Sequence, residues 1–129
     1  MKNEQPHRER TTDLGAVRIS NDVIIAIASI AATEIRGVHK MGGGLGKTLC
    51  EMLTKKPSVK GVKIQSSDGD VKLAVSIIVD YGVDIPRIAD EVQEKVKIAV
   101  EKMTGLVLGE VNVIVEGVSL KQNSQDRKF

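Results

Sequence analysis

Aromatic side chains are nearly missing from this chain, which has no tryptophan and carries only Tyr81 and Phe129 among its 129 residues. That scarcity speaks against RNA-binding sheets and oligonucleotide-binding barrels, whose platforms stack bases on rings. Cysteine is equally scarce. Cys50 stands alone, so no internal disulfide can form. No charged-then-apolar leader opens the sequence, since residues 1–13 are polar throughout, and a cytosolic location is expected. The longest uncharged run, Val23 to Thr33, falls well short of the roughly 20 residues needed to cross a bilayer. Any association with a membrane would therefore come through a partner or a surface contact, at the inner face.

What the chain does have is enough aliphatic residues for one core, with hydrophobic residues making up 41% of its length. A single domain over residues 14–118 is expected, flanked by polar, aperiodic tails at 1–13 and 119–129 that are read as disordered. The clearest element is a helix following Tyr81. Ile85, Ile88, Val92, Val96, Ala99, Val100 and Met103 recur at steps of three and four and form one stripe of a 3.6-residue helix. Asp84 is placed to cap its start, Pro86 fits the first turn, and Gly105 supplies the left-handed residue that ends it. The opposite face carries Glu91 with Lys95 and Lys97 with Glu101 at four-residue spacing, and reads as solvated.

Upstream, Ala16 to Ile19 reads as a short strand, and Ser20-Asn21-Asp22 offers caps for a helix over about 21–35. That helix is apolar nearly all round and needs cover on more than one side. Because one small sheet covers only one side, a second copy of the chain is the expected cover for the other, with Ile24, Ile27 and Ala31 as self-association residues. Gly37 to Gly46 reads as a loop, and Leu45, Leu49, Met52 and Leu53 as a short amphipathic helix ending at Lys56-Pro57. Val62 and Ile64 begin a strand, Asp68-Gly69 marks a hairpin turn, and Val71 to Tyr81 is a long central strand. Leu73, Val75, Ile77 and Val79 share one of its faces. Leu106 to Val115 is the last strand. The predicted class is α+β, a small two-layer domain in the order strand, helix, short helix, strand, strand, helix, strand, with the helices on one side of the sheet.

The pattern Tyr81-Gly82-Val83-Asp84-Ile85-Pro86, Val92-Gln93, Val96-Lys97, Val100-Glu101 and Met103-Thr104-Gly105-Leu106, followed by alternating valines, resembles the alkaline shock protein family, the YloU-like envelope-stress proteins of Gram-positive bacteria. Gly15-Ala16-Val17-Arg18-Ile19-Ser20 and Ala31-Ala32-Thr33-Glu34-Ile35-Arg36-Gly37-Val38 extend the resemblance back to residue 14. It implies a non-enzymatic, cytoplasmic, self-associating scaffold of the envelope stress response, with a protein partner near the inner membrane face, and implies no cofactor.

Candidate chemistry is thin along the whole chain. Residues 36–63 hold seven basic side chains, among them Lys47, Lys55, Lys56 and Lys60, against Glu51 alone, although the chain as a whole has a net charge of only +2. Such a local excess suits an acidic or phosphate-rich surface, though most charge runs are simply solvated. Gly42 to Thr48 invites comparison with a phosphate-binding loop, but its first glycine is missing, the position being Met41. The spacing Gly43-x-x-Gly46-Lys47-Thr48 fits better with the loop of KH domains, which clamps a nucleic-acid backbone at a helix start. That makes a nucleic-acid-binding module the alternative reading, with Gly43, Gly46, Lys47, Lys55, Lys56 and Lys60 as the anionic-partner residues. Arg36 to Met41 separates the first helix from the loop, where KH domains join them directly. His39 and Cys50 are two ligands where zinc needs about four. Asp80, Asp84, Asp90 and Glu91 invite comparison with a glycosidase pair, but Asp84 reads as a cap and Asp90 and Glu91 as part of the solvated helix face, whereas general acid–base work requires two carboxylates in contrasting environments of one pocket. No metal or catalytic set is assigned.

Overall fold

A computed structural model describes residues 7–43, 61–67 and 70–120. In chain order its elements are β1 (His7–Thr12), β2 (Gly15–Ser20), α1 (Asn21–Thr33), β3 (Val38–Met41), β4 (Val62–Ser67), β5 (Asp70–Asp80), α2 (Ile85–Thr104) and β6 (Leu108–Ser119). Among the described residues, two helices and six strands in two small sheets make a mixed α+β domain, as expected from sequence. The expected short helix of Leu45, Leu49, Met52 and Leu53 and the turn residues Asp68 and Gly69 lie outside the described residues, as do residues 121–129 of the expected C-terminal tail.

β5 is the middle of the larger sheet. Its alternation puts Val71, Leu73, Val75, Ile77 and Val79 on one face, and all five are buried. β6 pairs with it in parallel along one edge, setting Val111, Val113 and Val115 beside Leu73, Val75 and Ile77 on the core face. A parallel return needs a long crossover, which α2 supplies. β3 and β4 share the other edge of β5 end to end, both antiparallel. They meet at Ser76, whose carbonyl accepts from Gly42 N–H at 2.8 Å and whose N–H donates to Gly61 at 2.7 Å. Gly43 and Gly61, both at positive φ, come so close that a Cβ on Gly43 would sit 3.1 Å from Gly61 N. Gly43 and Gly61 thus stand side by side at a single point of the sheet.

The core lies between this sheet and the two helices. α2 contributes Ile88, Val92, Val96 and Val100, every one of them buried. Its ends are as the sequence predicts: Asp84 accepts from Arg87 N–H, and Gly105, at φ +81°, closes the helix by donating to Glu101 O at 2.9 Å. Ile85 and Met103, which share the predicted stripe, lie at the helix ends beyond the sheet and are exposed. Lys97 pairs with Glu101 at 2.8 Å as the spacing suggests, but the expected Glu91–Lys95 pair does not form. The end of α1 brings Glu34 to within 3.2 Å of Lys95, and Glu91 pairs with Arg87 instead.

Two strands went unseen in the sequence. Residues 7–12, expected in a tail, form β1 and pair with β2 from His7↔Ser20 to Thr12↔Gly15. The Thr12 hydroxyl organises the turn, accepting from Leu14 N–H and donating to Gly15 O. Residues 38–41, expected in a loop, form β3. β6 also runs on to Ser119, where the predicted strand stopped at Val115.

Candidate interaction surfaces

α1 starts at Ser20, whose hydroxyl accepts from Asp22 N–H at 3.0 Å. From there it turns Ile24, Ile27, Ala28, Ala31 and Ala32 inward, all buried. The three residues expected to mediate self-association, Ile24, Ile27 and Ala31, are therefore core residues of a single copy and offer no surface to a second one. The reason is that α1 is covered twice within one chain, by the sheet and by α2. What remains outside is a strip of Val23, Ala26 and Ile30, with Val23 45% and Ile30 59% exposed. Among isolated surface aliphatics this would need no comment, but here the residues recur at helical spacing on one face.

Near the end of α1 a groove of about 420 Å³ opens against α2. Ile35, Ile98 and Ala99 give it apolar walls, and Glu91, Glu94 and Lys95 form its charged rim. The Lys95–Glu34 ion pair at 3.2 Å ties the two helices together beside it. A pair exposed to this extent adds a few tenths of a kcal/mol up to about 1.

Of the residues assigned to an anionic partner, only Gly43 falls among the described residues; Gly46, Lys47, Lys55, Lys56 and Lys60 lie outside them. Gly43 N–H donates to the Glu116 carboxylate at 2.8 Å. Glu116 reaches it from β6 across the open face of the sheet, passing so close that a Cβ on Gly42 would meet its Oε1 at 2.6 Å. The backbone donor that would clamp a phosphate is thus already held by a negative charge. Among the described residues of the basic segment, Lys40 and Lys63 flank this junction on β3 and β4.

Cys50 lies outside the described residues, and His39 turns toward Asp80. Its Nδ1 lies 3.2 Å from Asp80 Oδ1, and Asp80 is the one charged residue buried in the described core. A backbone bond from Asp80 N–H to Gly37 O ties the end of β5 to the start of β3 beside this pair. Among the described residues no three His, Cys, Asp or Glu side chains converge as a metal site, and no helix is long and apolar enough to cross a membrane.

Glu101 is tied most firmly into the structure. Its Oε2 accepts from Lys97 Nζ and from Leu108 N–H, both at 2.8 Å. The Lys97 bond first and the Leu108 N–H second hold its pKa below the ordinary 4.5. Gln93 Nε2 and Lys97 Nζ likewise donate to the main chain of β6, at Val111 O and Leu108 O. Lys97 and Glu101 lie on the α2 face that the sequence reads as solvated, and with Gln93 they fasten helix to strand.

Comparison with known proteins gives this architecture its relatives. The chain is 36% identical over 115 residues to the uncharacterized protein YqhY of Bacillus subtilis (strain 168), covering 89% of this chain and 85% of that one. It is 35% identical over 112 residues to the uncharacterized protein YloU of the same organism, covering 85% and 93%. A stress response regulator gls24 homolog of Streptococcus pyogenes (serotype M3, strain ATCC BAA-595 / MGAS315) is 28% identical over 115 residues, which span 88% of this chain and 64% of that longer protein. Among solved structures, a MamM CTD (D249H, copper form) aligns over 75% of this chain at 16% identity with a TM-score of 0.46. The model of the alkaline shock protein family, described as having a cell envelope-related function, matches residues 9–120, from β1 to the residue after β6, and the chain belongs to that family.

Proposed function

We propose that this protein is a non-catalytic interaction protein of the cell-envelope stress response, which self-associates and docks a protein partner at the inner face of the membrane. The observation that carries the reading is the apolar strip of Val23, Ala26 and Ile30, left outside a core that α1 already fills on its other faces. The envelope-related description of the family and the stress-regulator name of the streptococcal relatives favour the same reading. Val23 and Ile30 supply the contact with the partner, and the groove beside Ile98 extends it along α2. The Glu116–Gly43 contact weighs against a phosphate clamp at the glycine-rich segment.

Two measurements test this reading. Sedimentation velocity at micromolar concentration should give a species larger than one chain, and a monomer alone would remove self-association. Tagged protein should recover a partner from the membrane fraction of the native cell, and the Val23→Lys/Ile30→Lys pair should lose that partner without unfolding. Undiminished recovery by the double variant would remove the docking surface. If retention on RNA fell steeply with salt, the nucleic-acid alternative would replace both.

A further inference from the structure

We infer that the self-association proposed above, on which this inference rests, takes place by antiparallel pairing of the second half of β6 with β6 of another copy, centred on Ile114. β6 bonds to β5 on one side only, and its other edge meets no strand among the described residues. The directions of its backbone groups follow from Ser76. Both the N–H and the C=O of that residue point to the β3/β4 edge, so Leu73, Val75 and Ile77 point theirs at β6. Their register partners Val111, Val113 and Val115 then turn their own N–H and C=O outward. Val111 agrees, since its carbonyl accepts from Gln93.

The edge is not uniformly open. Gln93, Lys97 and Glu101 cover its first half by bonding Val111 and Leu108, which leaves the outward groups of Val113 and Val115 without a partner among the described residues. No lysine, arginine or proline occurs in Leu108–Ser119, so in this half the edge is blunted only by Glu116 and by one irregularity after Ile77↔Val115. Ile114, 44% exposed, stands on the open face between the two free valines.

Of the registers centred on Asn112, Val113 and Ile114, a second copy fits this edge in one. Pairing about Val113 would set Glu110 against Glu116 of the other strand, and like charges directly opposite destabilise a pair. Pairing about Asn112 would call on the Val111 carbonyl that Gln93 occupies. Pairing about Ile114 opposes Val113 to Val115 in both directions, uses the free N–H and C=O of each, and sets uncharged Asn112 opposite Glu116. It also brings Ile114 against its own copy across a two-fold axis, an isologous contact that closes on itself.

The test uses the full chain with Cys50→Ser and a cysteine introduced at Ile114. Directly opposite residues have Cβ atoms about 4.5–5.5 Å apart, close to the roughly 3.5–4.5 Å of a disulfide. Mild oxidation should convert most of the Ile114→Cys protein to a covalent dimer. Asn112→Cys, displaced ~14 Å from its copy in this register, should stay uncrosslinked. Val115→Pro removes one outward N–H without touching the β5 ladder and should reduce the sedimenting dimer at least tenfold. If the wild type self-associates while Ile114→Cys does not crosslink, or Val115→Pro dimerises as well as the wild type, this interface is overturned and self-association stands. Equal crosslinking at 112 overturns the register. A wild type that is monomeric throughout overturns both this interface and the reading it rests on.

Discussion

Replacing Gly37 with alanine separates two costs that usually arrive together. Gly37 links α1 to β3 at φ +105°, and a Cβ there would lie 2.6 Å from Ile88 Cδ1 and 3.3 Å from Val83 Cγ1. Ile88 is a buried core residue of α2, so a clash with its Cδ1 has to be taken up within the packed layer. The backbone contribution, an L-residue in the left-handed half of the map, is about 1–2 kcal/mol, and forcing a methyl group against a packed side chain adds about 1–3 kcal/mol. Gly37→Ala should therefore cost about 2–5 kcal/mol, a large share of the 5–15 kcal/mol that holds a typical domain together. With a urea m-value of about 1–3 kcal/mol/M, the midpoint should fall by about 0.7–5 M at unchanged slope, near 2 M for mid-range values. Gly82 is the internal control, because at φ +95° it has nothing within 4 Å of a built Cβ. Gly82→Ala should show the backbone part alone, and any change in the unfolded chain cancels in the comparison. The contact itself is tested by Ile88→Val, which deletes the atom that clashes. Alone that change costs about 0.5–1.5 kcal/mol; in the Gly37→Ala background it should cost nothing or restore stability, giving a coupling of about 1 kcal/mol or more. Equal losses for the two glycines, with no coupling to Ile88, would refute the packing argument.

Other outcomes follow from the same contacts. Because its pKa is lowered in the fold, Glu101 stabilises the protein above the unfolded value of 4.5, and that contribution is lost as pH falls through the folded value. Glu101→Gln should flatten the acid limb of a stability–pH curve followed by circular dichroism, and an unchanged limb would count against the bonds to Lys97 and Leu108. His39→Ala leaves the buried Asp80 carboxylate without its imidazole and should cost about 1–3 kcal/mol in urea unfolding, where a neutral result would show Asp80 satisfied by other means. Val75→Ala, at the centre of the fully buried face of β5, should cost about 2–4 kcal/mol, and a loss under 1 would mean that the sheet–helix layer is not tightly packed. Glu116→Ala should raise hydrogen exchange at Gly43 N–H while leaving global stability nearly unchanged, since the bond is exposed.

The parts of the fold that could be read in advance are those where periodicity and end signals coincide. α2 has both, with Asp84 and Gly105 marking the ends of a stripe whose middle is buried. β5 is legible because it is apolar on one face and small or apolar over much of the other, as a central strand must be. β1 gave no such signal. His7-Arg8-Glu9-Arg10-Thr11-Thr12 has no apolar alternation, and its strand is held by main-chain pairing and a threonine turn. β3 was hidden by the glycines on both sides of it, which mark the two ends of a four-residue strand as readily as they mark a loop. In α1 the difficulty is reversed. A helix with apolar residues at nearly every position has no period to say which face is inside, so Ile24 and Ile27 could not be told from Val23 and Ile30 until a sheet and a second helix chose between them.

Surfaces were harder to read than the core for a related reason. Gln93, Lys97 and Glu101 recur every four residues along α2, and by pattern alone such a row is a solvated face with one ion pair. In the fold this row lies over the start of β6 and covers the backbone groups of Leu108 and Val111. The row that reads as least specific in the sequence thus decides which half of the edge strand stays open. A helix shifted by one turn, about 5.4 Å, toward its N-terminal end would bring Gln93 against Val113 instead, and extend the cover along the edge. The position of α2 is fixed in turn by its caps and by Ile88, Val92, Val96 and Val100 against β5. Edge access is therefore set by core packing, and substitutions that slide α2 along the sheet should change self-association before they change the fold.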